Sequence, residues 1–232
     1  MGKTKDIISN GDGTCVLTFK DDATGTDGKF DPGANAIGLS INGLGRASML
    51  LSRFYFDLLF SKGIPNHYLM SNETSGTMLV KELKMIKLEF VGRYLSWGSF
   101  CRTYGVRQGI KFKKCLVEMM LKDDNLKDPR ICEEAAIALD LIDHDTFVEC
   151  SRLTREIGDI LRESLKTFGF TLVDYKLEFG VDQLGKITLG DEISGGIWRL
   201  LYPNKMEVGP IAAAKRICPD YYLGAKDETD FS

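Results

Sequence analysis

Asp174, Lys176 and Glu178 alternate along residues 170–179, and a second acidic pair, Asp191-Glu192, follows shortly after. A two-residue period puts Thr171, Val173, Tyr175, Leu177 and Phe179 on one strand face. Phe170, Leu172 and the three charged residues take the other. With a two-residue turn at Leu184-Gly185, Glu178 faces Asp191 across a hairpin. Facing carboxylates repel by up to about 1 kcal/mol unless a cation lies between them. Mg²⁺ with nucleotide phosphates is such a cation, since it takes one or two carboxylates, waters and phosphate oxygens. A solvated outer sheet face accounts for the same pattern.

Two further segments carry anion-binding chemistry. Gly2-Lys3-Thr4-Lys5 brings ammonium groups and a small residue together, but lacks the spacing of a P-loop; an exposed, frayed terminus is the simpler reading. In residues 93–102, Arg93 and Arg102 flank Gly98-Ser99, which suits a phosphate or carboxylate. An ordinary surface loop fits that segment too. Leu121-Lys122-Asp123-Asp124 and Asp128-Pro129 read as a charged loop.

The elements that must position these groups are short strands first and helices later. Thr14–Phe19 reads as a strand, whereas residues 21–28 are too polar and glycine-rich for a periodic element. Leu50, Leu51, Phe54 and Leu58 mark one buried helix face that ends at Gly63 and Pro65. Thr77–Lys81 and residues 88–91 predict two more strands. Leu153, Ile157, Ile160, Leu161, Leu165 and Phe168 predict an amphipathic helix over 151–168. A strand over 170–179, a turn within 181–186 and a strand over 187–193 complete an α+β chain with a β-rich N-terminal lobe and a mixed C-terminal lobe. A ligand site is expected between the lobes.

Composition narrows the class. The chain has 232 residues, with 30 Lys and Arg against 33 Asp and Glu, a net charge of −3. That balance argues against a nucleic-acid partner. No run approaches a membrane span of about 18 apolar residues, and the first residues lack the apolar core of a signal peptide or a myristoylation pattern. A cytoplasmic protein is expected. Cys15, Cys101, Cys115, Cys132, Cys150 and Cys218 show no ligand spacing with His67 or His144, so they are expected to be small buried apolar residues.

Taken in order, the segments resemble the SAICAR synthetase family of purine biosynthesis. The likeness runs from Gly2-Lys3-Thr4-Lys5-Asp6 through Phe19-Lys20-Asp21-Asp22-Ala23-Thr24-Gly25, Gly63-Ile64-Pro65-Asn66-His67 and Leu79-Val80-Lys81. It continues through Arg93, Gly98-Ser99-Phe100, the Lys122 and Asp128 blocks, and Asp174-Tyr175-Lys176-Leu177-Glu178-Phe179-Gly180. Gly190-Asp191-Glu192-Ile193-Ser194 and Arg199 close it. The resemblance implies a two-lobed ATP-grasp-like fold, with residues 1–84 covering the nucleotide and 85–232 carrying the substrate and metal sites. It implies ATP and Mg²⁺ as cofactors, and ligation of carboxyaminoimidazole ribonucleotide to L-aspartate through an acyl phosphate, with no nucleic acid or membrane partner; a homo-oligomer stays open.

Carried over by position, Lys3, Lys5 and Lys81 would meet the ATP phosphates, and Met85 would wall the adenine beside residues 81–85. Glu178 and Asp191 would hold Mg²⁺. Arg93, Ser99 and Arg199 would bind the ribonucleotide, aided by Asp174 and Lys176, with Asp22 and Lys122 on the substrate side. Lys176, Asp174 and Arg199 would stand nearest the chemistry. The chain departs from the family pattern at Asn66, Thr103 and Ile197-Trp198, before Gly2, and after Arg199, where only Arg216 offers a basic residue. Tyr221-Tyr222-Leu223 would pack on the body or on a second subunit. The rival readings are a small-molecule kinase or different ligase on the same scaffold, and a nucleotide-binding module without catalysis.

Overall fold

The computed structural model describes residues 2–34 and 36–218. Three antiparallel sheets carry the fold. Lys5–Ser9 (β1), Thr14–Phe19 (β2), Thr77–Lys81 (β7) and Tyr68–Asn72 (β6) form the first, in the order β1-β2-β7-β6. Lys29–Phe30 (β4), Asp22–Thr26 (β3) and Ile37–Ser40 (β5) form a small second sheet. The third is built on Thr171–Val181 (β10). Lys84–Leu95 (β8) pairs one edge of β10 and in turn pairs Lys111–Leu121 (β9), while Ile187–Leu189 (β11) and Trp198–Leu201 (β12) take the other edge.

The helices fill between the sheets. Leu44–Ser61 (α1) buries Leu50, Leu51, Tyr55, Phe56 and Leu59, and ends where Gly63 takes φ 79°. No side chain of its own caps its start; the Asp21 carboxylate accepts instead from the amides of Gly43 and Gly45, at 3.1 and 2.8 Å. His144–Thr167 (α4) begins earlier than the apolar stripe suggests, because Asp143 accepts from the Thr146 amide at 2.7 Å and caps it. Gly98–Tyr104 (α2), Glu133–Ala138 (α3) and Pro210–Ile217 (α5) are shorter.

Several expectations need correction. Within residues 21–28, Asp22–Thr26 do form a strand, β3, since its ladder to β5 satisfies the backbone where side chains give no period. The returning strand stops at Leu189 rather than Ile193. Gly98-Ser99 opens a helix, not a loop turn. Only Cys15, Cys150 and Cys218 are buried; Cys101 and Cys115 are half-buried and Cys132 is exposed. The departures Ile197 and Trp198 are core residues, with Trp198 edge-on to Tyr55. Tyr221-Tyr222-Leu223 lies outside the described residues.

Tyr175 locks α4 to the third sheet. Its hydroxyl donates to the Thr154 carbonyl at 2.7 Å, and its ring fills the space where Gly92 and Gly158 lack side chains. A Cβ on Gly158 would lie 1.8 Å from that hydroxyl. Helix propensity alone would make Gly158→Ala stabilising by about 1 kcal/mol. The expected outcome is the opposite, a loss of about 1–3 kcal/mol from overpacking, read by denaturant unfolding.

Candidate active site

Asp182 to Lys186 close the β10–β11 hairpin with a three-residue loop: the Asp182 amide donates to the Lys186 carbonyl and Gly185 takes φ 78°. This corrects the two-residue turn at Leu184-Gly185. The extra residue shifts the register by one, so Gly190, not Asp191, lies opposite Glu178 and donates its amide to the Glu178 carbonyl at 2.9 Å. Asp191 follows at φ 59°. Glu178 and Asp191 still line one cavity of about 290 Å³, and the charge of Asp191 opposes the ionisation of Glu178.

The charged face of β10 is not solvated: Asp174 and Glu178 are 3% and 7% exposed. Lys5 reaches the same cavity from the first residue of β1, with Nζ 2.9 Å from Asp191 Oδ1 and 2.5 Å from Glu192 Oε1. The frayed reading of Gly2-Lys3-Thr4-Lys5 fails there, for Lys5 is buried. Lys122, just beyond β9, pairs with Glu178, and Lys176 pairs with Glu89 of β8 at 3.1 Å. Four carboxylates (Glu89, Glu178, Asp191 and Glu192) thus meet three ammonium groups (Lys5, Lys122 and Lys176).

Burial and these neighbouring charges together set the titration. Burial, then the charge of Asp191, pushes the Glu178 carboxyl up to about 7. Burial opposes the ionisation of Asp191 too, but Lys5 and Lys122 overcome it and hold that carboxyl at about 2. For Lys5 burial favours the neutral amine, yet Asp191 and Glu192 raise its pKa above the ordinary range. His67 is driven by burial down to about 4, and its Nε2 lies 3.1 Å from the Asp191 carbonyl.

A second cavity of about 610 Å³ shares Glu89, Asp124, Asp128 and Lys176 with the first. An alternating ion-pair chain crosses it. Arg199 of β12 contacts Asp31 at 2.7 Å and Asp174 at 2.9 Å. Arg93 of β8 then contacts Asp174 at 2.8 Å and Glu118 at 2.6 Å, and Glu118 holds Arg130 at 2.7 Å. Ser99 accepts from Arg93 Nη2 at 3.4 Å.

Most candidate residues therefore gather. Lys3, Lys5, Asp22, Lys122, Lys176, Glu178 and Asp191 line the first cavity, and Arg93, Ser99, Asp174, Lys176 and Arg199 the second. Lys3 reaches Asp124 at 2.5 Å. Lys81 and Met85 line neither: Lys81 is exposed at the end of β7, and Met85 lies against Gly180 and Gly190. Arg216 stacks on Phe170, away from both. Thr103 accepts from Arg130, and Asn66 donates to the Phe56 carbonyl at 3.0 Å. Sequence reasoning gave no role to Glu192, Glu89, Glu118, Asp31 or His67. Glu192 and His67 stood inside quoted motifs; the others had no local signal.

Among the described residues no three His, Cys, Asp or Glu side chains group to hold a metal on their own. Glu178 and Asp191 form only a pair, which suits a cation whose remaining ligands are waters and phosphate oxygens. No helix of the described residues is long and apolar enough to cross a membrane.

The SAICAR synthetase family model matches residues 1–215. The phosphoribosylaminoimidazole-succinocarboxamide synthase of Clostridium tetani is 41% identical over 221 residues, covering 93% of this chain and 96% of that protein. A SAICAR synthetase solved in complex with ADP is 30% identical, covers 98% of both chains and superposes with a TM-score of 0.84. The SAICAR synthetase of Pyrococcus horikoshii OT3 is 29% identical, with a TM-score of 0.81 over 97% of this chain and 99% of that one. The α+β, ATP-grasp-like architecture is the one these structures share.

Glu178 has a folded-state pKa above its ordinary 4.5, so its ionisation costs stability as pH rises from about 4.5 to about 7. Glu178→Gln removes that cost. In metal-free protein, its stability relative to wild type should rise across that window, by about 1–3 kcal/mol, and stay level above it. Urea unfolding at pH 5, 6, 7 and 8 reads this; a difference that does not change with pH contradicts the assignment.

Proposed function

This chain belongs to the SAICAR synthetase family, and we propose that it catalyses that family's ATP-dependent ligation. Carboxyaminoimidazole ribonucleotide and L-aspartate are joined to give SAICAR, ADP and phosphate. The observation that carries the reading is the pair of adjoining cavities. One holds an acid pair short of cations, the other an arginine pair, and Lys176 stands in the wall between them. An anionic ribonucleotide in the second cavity would present its carboxylate to a nucleotide in the first.

In this reading the substrate carboxylate attacks the γ-phosphorus of ATP and ADP leaves. The aspartate amine then attacks the resulting acyl phosphate, forming the amide bond, and phosphate and a proton leave. The protein's part is mainly placement and charge neutralisation. Arg93 and Arg199 hold the ribonucleotide anion, and Asp174 fixes both guanidinium groups between them. Lys176 meets the carboxylate where phosphoryl transfer occurs. Lys5, Lys81 and Lys122, with Lys3 at the rim, face the phosphates, and Met85 walls the adenine. Glu178 and Asp191 would hold Mg²⁺, which when bound neutralises phosphate charge. Residues 1–84 then cover the nucleotide and 85–232 carry the acceptor site, in a cytoplasmic enzyme.

The direct test is ADP release with Mg-ATP and the ribonucleotide, with and without L-aspartate. ADP formed only with all three substrates, together with the succinocarboxamide, is expected. Release indifferent to aspartate would instead identify a kinase or ATPase, and nucleotide binding with no turnover a binding module. Asp191→Asn should abolish metal-dependent turnover while leaving the fold intact. Arg199→Ala should raise the KM for the ribonucleotide more than that for ATP; the reverse ranking would exchange the two cavities.

A further inference from the structure

His67 is held at three points, one of them on the site residue Asp191. Its amide donates to the Leu189 carbonyl at 3.0 Å, and its carbonyl accepts from the Lys81 amide at 2.7 Å. Its Nε2 lies 3.1 Å from the Asp191 carbonyl oxygen. A carbonyl has no proton to give, so Nε2 carries the hydrogen and donates it. The ring is buried and set edge-on to Phe56, with centroids 5.3 Å apart. At the receiving end, Asp191 is a non-glycine residue at φ 59°, a conformation that persists where the surroundings hold it.

We infer that His67 is a positioning residue, whose Nε2–H holds the Asp191 carbonyl and so fixes the left-handed turn that aims the Asp191 carboxylate at Lys5 and the cation position. The second half of this rests on the reading of Asp191 as a cation ligand. Both the neutral and the protonated imidazole donate from Nε2, so the role does not depend on titration. Outer partners of this kind are worth about 10–100-fold in metal affinity.

The test compares full-length wild type, His67→Gln, whose amide nitrogen can replace Nε2–H, and His67→Phe, which keeps a ring against Phe56 and loses the donor. ADP binding is measured by calorimetry in Mg²⁺ and in EDTA. Amide hydrogen exchange at residues 190–193 is measured without nucleotide or metal. His67→Phe should lose about 10-fold or more of the Mg²⁺-dependent affinity with binding in EDTA unchanged. Exchange should quicken at 190–193 but not in the β8–β10 ladder, and His67→Gln should stay near wild type. A His67→Phe protein with wild-type exchange and Mg²⁺ response overturns the inference. So does one that loses affinity equally in both buffers and exchanges faster throughout. If His67→Phe does not fold, His67→Asn, whose amide is too short to reach, is held to the same outcomes. A wild type with no Mg²⁺-dependent gain overturns the cation reading, and exchange at 190–193 then decides the role of His67 alone.

Discussion

Lys5, pinned between Asp191 and Glu192 at the bottom of the cleft, is the contact on which the rest of the site depends. It joins the first strand of the chain to the loop after β11. Both carboxylates are buried or nearly so, and removing one member of such a group typically costs about 3–5 kcal/mol, because the remaining charge is left without a partner. With Lys5 in place, the start of β1 is tied to the loop after β11, at the cavity that Glu178 of β10 also lines. The same contact keeps Asp191 ionised while Glu178, close by, is pushed towards the neutral acid. One cavity thus holds two carboxylates of opposite disposition, and such a pair would suit a cation that arrives with its own phosphate ligands.

The neighbouring cavity is built on the other principle. Its ions are matched, alternating from Asp31 through Arg199, Asp174, Arg93 and Glu118 to Arg130. Asp174 and Glu118 hold the guanidinium groups in fixed orientations, which suits recognition of a planar carboxylate or a phosphate. Asp31, from the small second sheet's β4–β5 connection, is the exposed end of this chain, so an incoming anion competes with it for Arg199. An acid-rich cavity adjoins an arginine-rich one, and Lys176 lines both at their boundary.

Much of this was legible in the sequence because the decisive residues sit on one strand. Alternation in β10 placed Asp174, Lys176 and Glu178 together, and the Gly190-Asp191-Glu192 turn supplied their partner. What sequence could not separate was a cleft from a solvated face, since that depends on partners brought from other elements: Arg93 and Glu89 of β8, Lys122 beyond β9 and Arg199 of β12. The register was read one residue off because Gly185, at positive φ, allows a three-residue loop that composition does not distinguish from a two-residue one. Glu89 and Glu118 lie in strands whose neighbours are mostly apolar, and Asp31 in a polar loop. Nothing local marks them, because their role is set by what the sheets bring opposite. The strand β3 was hidden for the same reason, its pairing with β5 doing what side-chain period did not.

The central claim is that the cleft's surplus carboxylate charge is answered by a cation that comes with the nucleotide. Calorimetry of Mg-ADP binding in buffers of different ionisation enthalpy tests it most directly, comparing wild type with Glu178→Gln. Near pH 7 Glu178 is partly protonated, so wild type should release a fraction of a proton that Glu178→Gln does not, with the difference vanishing well above pH 7. Equal proton release by the two proteins across that range would contradict the account.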